Sequence, residues 1–219
     1  MAGDFWEMLN QAQRETVRAA AQVRRFRPGT ALMCEGDQDR SVLVLVSGWA
    51  KVTTAWPGGH EVVLNVCGPG DIVGETSAMD GAPRSGAVVA VDVVTALALS
   101  VERFARIIRA HPDISTIVSR VITGRLRAAD ARRRQFAELS TPGRIAELLA
   151  ELAERYGVST SEGVVVDLRI SQQDIAAMTA ASRETAARTL RTLREAGVIS
   201  TARRRLTIHR PDALRTFNA

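Results

Sequence analysis

At Ser100 the apolar residues of this sequence change their period, and that change limits the architectures open to it. Between Thr30 and Ser100 they come in short runs, at 41–46, 51–54, 61–66, 87–91 and 94–99. The runs are cut by Pro57-Gly58-Gly59, Gly68-Pro69-Gly70 and Asp80-Gly81-Ala82-Pro83. Runs of this length between turn residues are strands, and several in succession make a small roll or barrel. Beyond Ser100 the spacing lengthens to three or four residues, the helical period. The expectation is an α+β chain, with a β-roll first and helices after it. With 219 residues, two compact units are expected rather than one.

The flanks of the roll read as helices. Residues 4–23 carry Phe5, Met8, Leu9 and Val17 on one side, and the basic segment at 24–29 ends that helix. A short helix is expected at 101–109. A longer one starts at His111-Pro112 and runs to about 135 or 139, with Ile114, Ile117, Val118, Val121, Ile122 and Leu126 as an apolar stripe. A stripe of this length needs a cover, and a second copy of the helix supplies one, which predicts a parallel homodimer. The same stripe could instead pack on the chain's own β-domain. Thr141-Pro142 then signals a further helix start, 159–163 a polar loop, and 164–168 a strand.

The charge is uneven. Of 29 basic residues all but Lys51 are arginine, and the net charge is +5. Residues 169–210 hold nine arginines against Asp174, Glu184 and Glu195, a local excess that favours a polyanionic partner. Within this stretch Ser171 caps a helix over 172–178, with Asp174 completing a capping box, and the turn falls at 179–181. Ser182 caps a second helix, expected over 183–196, whose Ala186, Leu190 and Leu193 face inward while Arg183, Glu184, Arg188 and Arg191 do not. Two helices joined this tightly suit insertion of the second into the major groove of double-stranded DNA. Arg183 and Arg188 suit guanine edges, and Glu184 suits the cytosine amino group. Ser171, Gln172 and Ser182 complete the candidate DNA contacts. A hairpin at 198–208 carries Arg203, Arg204 and Arg205 at its tip, a basic wing placed for phosphate.

Together these features resemble the CRP/FNR family of transcription regulators. The resemblance rests on Thr141-Pro142-Gly143-Arg144-Ile145-Ala146 and on 170–199, above all Ser182-Arg183-Glu184-Thr185 with Arg188. It implies an N-terminal cyclic-nucleotide-binding β-roll, a long dimerisation helix and a C-terminal winged helix-turn-helix, with domains at 1–110, 111–139 and 140–219. It also implies a palindromic operator with half-sites related to TGTGA, and RNA polymerase as a further partner.

The upstream half of the resemblance is Gly68-Pro69-Gly70-Asp71-Ile72-Val73-Gly74-Glu75 followed by Asp80-Gly81-Ala82-Pro83-Arg84-Ser85, similar to the phosphate-binding cassette of cyclic-nucleotide domains. Arg84 and Ser85 suit a cyclic phosphate, Glu75 a ribose hydroxyl, and Gly74 and Thr76 flank it. Counting back from Gly143-Arg144 puts Ala129 and Asp130 at the positions facing the base. The implied effector is cAMP or cGMP. A regulator that binds DNA constitutively or senses another metabolite, and a nucleotide-binding module acting through protein contacts, draw on the same residues.

Other chemistries find little here. Cys34 and Cys67 fall short of the four thiolates of an iron–sulfur cluster and read as buried small residues. His60, His111 and His209 read as surface or packing residues rather than haem ligands. No metal motif, nucleophile elbow or Walker loop is present, so no enzyme is expected. The acidic start (Asp4, Glu7) and the lack of a long apolar stretch point to the cytoplasm, with no membrane contact.

Overall fold

The computed structural model describes residues 5–55, 61–167, 171–202 and 205–217. They divide into two compact units, residues 2–126 and 127–219. In the first, α1 (Phe5–Met8) and α2 (Gln11–Ala20) precede strands β1 (Gln22–Phe26), β2 (Ala31–Met33), β3 (Val42–Ser47), β4 (Ala50–Ala55), β5 (Glu61–Cys67) and β6 (Ile72–Val73). Then come α3 (Glu75–Asp80), β7 (Ala87–Ala90), β8 (Val94–Leu99), α4 (Val101–Ala110) and α5 (Pro112–Glu138), within which the division falls.

The strands form two antiparallel four-stranded sheets, ordered β1-β8-β3-β6 and β2-β7-β4-β5. The run Val42-Leu43-Val44-Leu45 lacks polar alternation because both faces of β3 are covered. Val42 and Val44 join Phe5, Val17, Phe104, Ile114 and Val118 in one core, and Leu43 and Leu45 join Phe26, Met33, Ala50, Val88 and Val94 in another. Alternate side chains of a strand point to opposite faces, so one apolar run serves both layers.

Several expectations shift. The first helix is two: Asn10 forms a capping box with Gln13 that starts α2 afresh. Residues 22–26 are strand rather than helix end, paired with β8 from Gln22↔Ala98 to Phe26↔Val94. The stripe on α5 splits between two fates. Ile114, Ile117, Val118 and Val121 are buried in the chain's own core, whereas Leu126 is 61% exposed. Cys67 is buried as expected, but Cys34 is exposed.

The second unit contains the last part of α5, then α6 (Thr141–Tyr156), β9 (Val158–Thr160), β10 (Gly163–Val166), α7 (Gln172–Met178), α8 (Arg183–Glu195), β11 (Ile199–Ala202), β12 (Arg205–Ile208) and α9 (Pro211–Arg215). Its sheet runs β11-β12-β10-β9. Ser140, not Thr141, caps α6, its side chain accepting from the Gly143 amide. β9 occupies part of the expected polar loop, and α9 was not foreseen. Ile145, Leu149, Ile175, Leu190, Leu193, Ile199 and Ile208 are buried.

Candidate functional site

In the first unit β6 ends at Val73, and the chain turns through Gly74 into α3. Gly74 has φ +82°, and a Cβ there would lie 2.6 Å from Arg84 Nη1 and 2.7 Å from the Ser41 carbonyl oxygen. Glycine is required twice over, for the left-handed backbone and for the approach of the guanidinium. Arg84, 4% exposed, donates from Nη1 to the Gly74 carbonyl (2.9 Å) and from Nη2 to the Ser41 carbonyl (2.5 Å), with Asp39 Oδ2 at 4.0 Å. Its backbone is tied to the same loop, the amide donating to Asp37 O (3.0 Å) and the carbonyl accepting from the Gly36 amide (2.9 Å). Burial pulls the guanidinium below its ordinary value, and Asp39, Glu75 and Asp37 pull it back. The Asp39 carboxyl lies below its usual range, chiefly because the Ser41 hydroxyl donates to it at 2.7 Å.

Glu75 opens α3 and is 2% exposed. Its Oε1 accepts from Arg125 Nη1 at 2.6 Å and from the Thr76 hydroxyl at 3.3 Å. Arg125 comes from α5 and also donates to the Ile72 carbonyl (2.6 Å). The candidates Gly74, Glu75, Thr76 and Arg84 therefore cluster around the start of α3, with Thr76 exposed and Ser85 exposed beside Arg84. Ala129 and Asp130 belong to the other unit, where Asp130 faces Arg133 at 3.5 Å.

Arg125 was not anticipated, although its signal was present. It follows Val121 by four residues, continuing the buried stripe of α5 with a charge where an apolar residue is expected. Asp39 was also missed; it became visible only once the fold brought 37–41 against Arg84. A buried cation and a buried carboxylate held this way can recognise an anionic group beside a hydroxyl.

In the second unit the helix pair forms as its caps dictate. The Ser171 hydroxyl accepts from the Asp174 amide (3.1 Å), Asp174 Oδ2 accepts from the Ser171 amide (2.9 Å), and the Ser182 hydroxyl accepts from the Thr185 amide (3.0 Å). Ala186, Leu190 and Leu193 are buried, whereas Ser171, Gln172, Ser182, Arg183, Glu184 and Arg188 are exposed. Glu184 and Arg188 sit one turn apart on the same side of α8. Arg203, Arg204 and His60 lie outside the described residues. His111 is exposed at the end of α4. His209 is exposed with its ring nitrogens at 2.7 Å from the Glu162 carbonyl and 2.9 Å from the Ser200 hydroxyl. Among the described residues no helix is long and apolar enough to cross a membrane, and no group of three or more His, Cys, Asp or Glu residues is placed to hold a metal.

Residues 23–111 match the cyclic nucleotide-binding domain family, and residues 143–217 match the Crp-like helix-turn-helix domain family. The chain is 31% identical over 160 residues to the CRP-like cAMP-activated global transcriptional regulator of Mycobacterium tuberculosis, covering 73% of this chain and 71% of that protein. It is 30% identical over 178 residues to the cyclic AMP receptor protein of Thermus thermophilus, covering 81% and 79%. The solved structure of FixK2 from Bradyrhizobium japonicum shares its fold at a TM-score of 0.80 and 18% identity, over 91% of this chain and 98% of that one. With a cyclic nucleotide-binding domain ahead of an exposed recognition helix, the chain belongs to the CRP/FNR family of DNA-binding transcription regulators.

Proposed function

We propose that this protein is a homodimeric, cytoplasmic regulator whose grip on a palindromic operator is set by a cyclic nucleotide, cAMP or cGMP, bound near Arg84 and Glu75. Its parts are an effector domain at 1–110, a dimerisation helix at 111–139 and a winged-helix domain at 140–219. The carrying observation is the Arg125–Glu75 pair, 2.6 Å long, which ties the effector site to the long helix. A ligand hydroxyl that takes Glu75 as its acceptor changes what Arg125 holds, and through Arg125 it acts on α5. That gives the ligand a differential contact between two states of the helix, which allosteric control requires.

Arg84 and Ser85 supply a guanidinium and a hydroxyl for the cyclic phosphate, Gly74 the close approach, and Glu75 and Thr76 the sugar side. Ser171, Gln172, Ser182, Arg183, Glu184, Arg188, Arg203 and Arg204 meet the DNA, with Arg183, Glu184 and Arg188 reading bases. RNA polymerase is the partner through which a bound dimer acts on transcription, and the protein performs no catalysis of its own.

The dimer contact is the part of α5 not consumed by the chain's own core. Leu126, Ala129 and Phe136 recur at spacings of three and seven, and Leu126 and Phe136 are 61% and 47% exposed. A two-fold axis through such a seam places two recognition helices about 34 Å apart, one turn of DNA.

A second reading keeps the regulator and changes the effector, or dispenses with it. It is favoured by Arg84 already donating to two backbone carbonyls. Isothermal titration with cAMP and cGMP, with Arg84→Ala as control, separates the two. Heat from either nucleotide that vanishes in the variant supports the first reading, and no heat from either overturns it.

A further inference from the structure

We propose that Arg144 is the positioning residue that fixes the turn of the helix-turn-helix to the last turn of α5, so that a displacement of that helix end is passed to the turn. All of its partners lie within the 127–219 unit. Its Nε donates to the Thr179 carbonyl, its Nη1 to the Leu139 carbonyl and its Nη2 to the Thr141 hydroxyl, each at 3.0 Å. The Cζ of the same guanidinium lies over the Phe136 ring, 4.8 Å from its centre. Leu139 follows α5, and Thr179 is the C-cap of α7. One cation therefore caps the carbonyl ends of two helices, where positive charge is favoured, while its own residue sits in the first turn of a third.

The clamped turn needs holding. Ala180, directly after the Thr179 carbonyl, has φ +48°, and among the described residues it is the non-glycine residue with positive φ. A left-handed alanine costs free energy and persists only where neighbours over-determine it. Three contacts do so here: the Arg144 bond to the Thr179 carbonyl, the Thr179 hydroxyl donating to Ile175 O (2.8 Å), and the Ala181 amide donating to Ala176 O (2.9 Å). The same Arg144 guanidinium, through Nη1, also reaches outside the helix pair, to the Leu139 carbonyl. Ser182 and Arg183 follow at once, so the geometry at 179–181 sets where α8 begins. Lysine cannot replace the clamp, because an ammonium is a point donor, whereas the Arg144 fork donates from Nε, Nη1 and Nη2 to three separate partners.

The test perturbs one end of this clamp and reads the other in the full chain, with neither DNA nor nucleotide, so its outcome is independent of the effector reading above. Ala137→Gly loosens the last turn of α5 by removing one exposed methyl. In the wild-type background the amides of Thr179 and Ala181 are expected to exchange with deuterium about threefold faster as a result, with the interior of α6 unchanged. In Arg144→Lys, the same Ala137→Gly change is expected to leave those two amides where Arg144→Lys alone put them. A residue that merely stabilised the unit would give additive effects. No response at 179–181 in the wild-type background, or an equal response in both backgrounds, overturns the proposal. Should Arg144→Lys fail to fold, Arg144→Gln takes its place in the same cycle.

Discussion

Removing Arg125 tests the physical link between the effector site and the long helix. In the Arg125–Glu75 pair the carboxylate side chain is 3% exposed and the guanidinium side chain 24% exposed. Taking away one member of a buried pair costs roughly 3–5 kcal/mol, because the other is left in a poor solvent for charge. Water reaches part of Arg125, so the lower end applies, and Arg125→Met is expected to destabilise the 2–126 unit by about 3 kcal/mol. Glu75→Gln keeps an oxygen acceptor for the guanidinium and should cost about 2 kcal/mol. If the two side chains act chiefly on each other, the double variant costs about 3 kcal/mol rather than the roughly 5 kcal/mol of simple addition, a coupling near 2 kcal/mol. Trp6 and Trp49 fall in this unit and the sequence has no tryptophan after residue 56, so denaturant unfolding followed by tryptophan fluorescence reads it selectively. Additive losses, or a loss below about 1 kcal/mol for Arg125→Met, would show that the pair is no more than a surface contact.

Three further outcomes follow from the same geometry. Leu126→Glu puts a charge into the proposed seam and should convert a dimer to a monomer in sedimentation equilibrium at micromolar concentration, with the fold intact by circular dichroism; a wild-type monomer contradicts the dimer. Arg188→Ala should weaken binding to a TGTGA-type duplex by about 5- to 150-fold, the worth of one bidentate base contact, while binding to random duplex at the same salt changes little. Equal losses on both duplexes would make Arg188 a phosphate contact instead. Asp39 has its carboxyl below the ordinary 3.8, so its contribution to stability is present above that pH and lost as pH falls through the folded value. Wild type should exceed Asp39→Asn in unfolding midpoint at neutral pH by a small amount, because the side chain is 68% exposed, and the gap should close below 3.8. A gap that widens in acid contradicts the assignment.

What could be read from the residues was local. The pair Ser171/Asp174 and the cap Ser182 fix helix starts through bonds spanning three residues, and those starts appear where the spacing puts them. The short runs of the roll were legible because each carries its own turn residues. Long-range pairing was not. Residues 22–26 look like the end of a basic helix, and only β8, about seventy residues on, makes them a strand. The stripe on α5 gave the right apolar positions but not their cover. An amphipathic helix does not say whether its face meets its own domain or a second chain, and here the first half meets its own. The cassette from Gly74 to Arg84 was readable, since its side chains come from one short segment. Arg125 and Asp39 are far from it in sequence, and they enter only when α5 and the 34–41 loop close on it.

Control of DNA binding from the Arg84–Glu75 site is the central element of the proposed function. The most direct measurement is fluorescence anisotropy of a labelled duplex bearing two inverted TGTGA half-sites, titrated with the protein at fixed salt in the absence and presence of saturating cAMP, and again with cGMP. One nucleotide is expected to tighten binding by about tenfold or more, within the usual range of allosteric coupling, and Arg84→Ala to abolish the gain. Identical affinity with and without either nucleotide contradicts it.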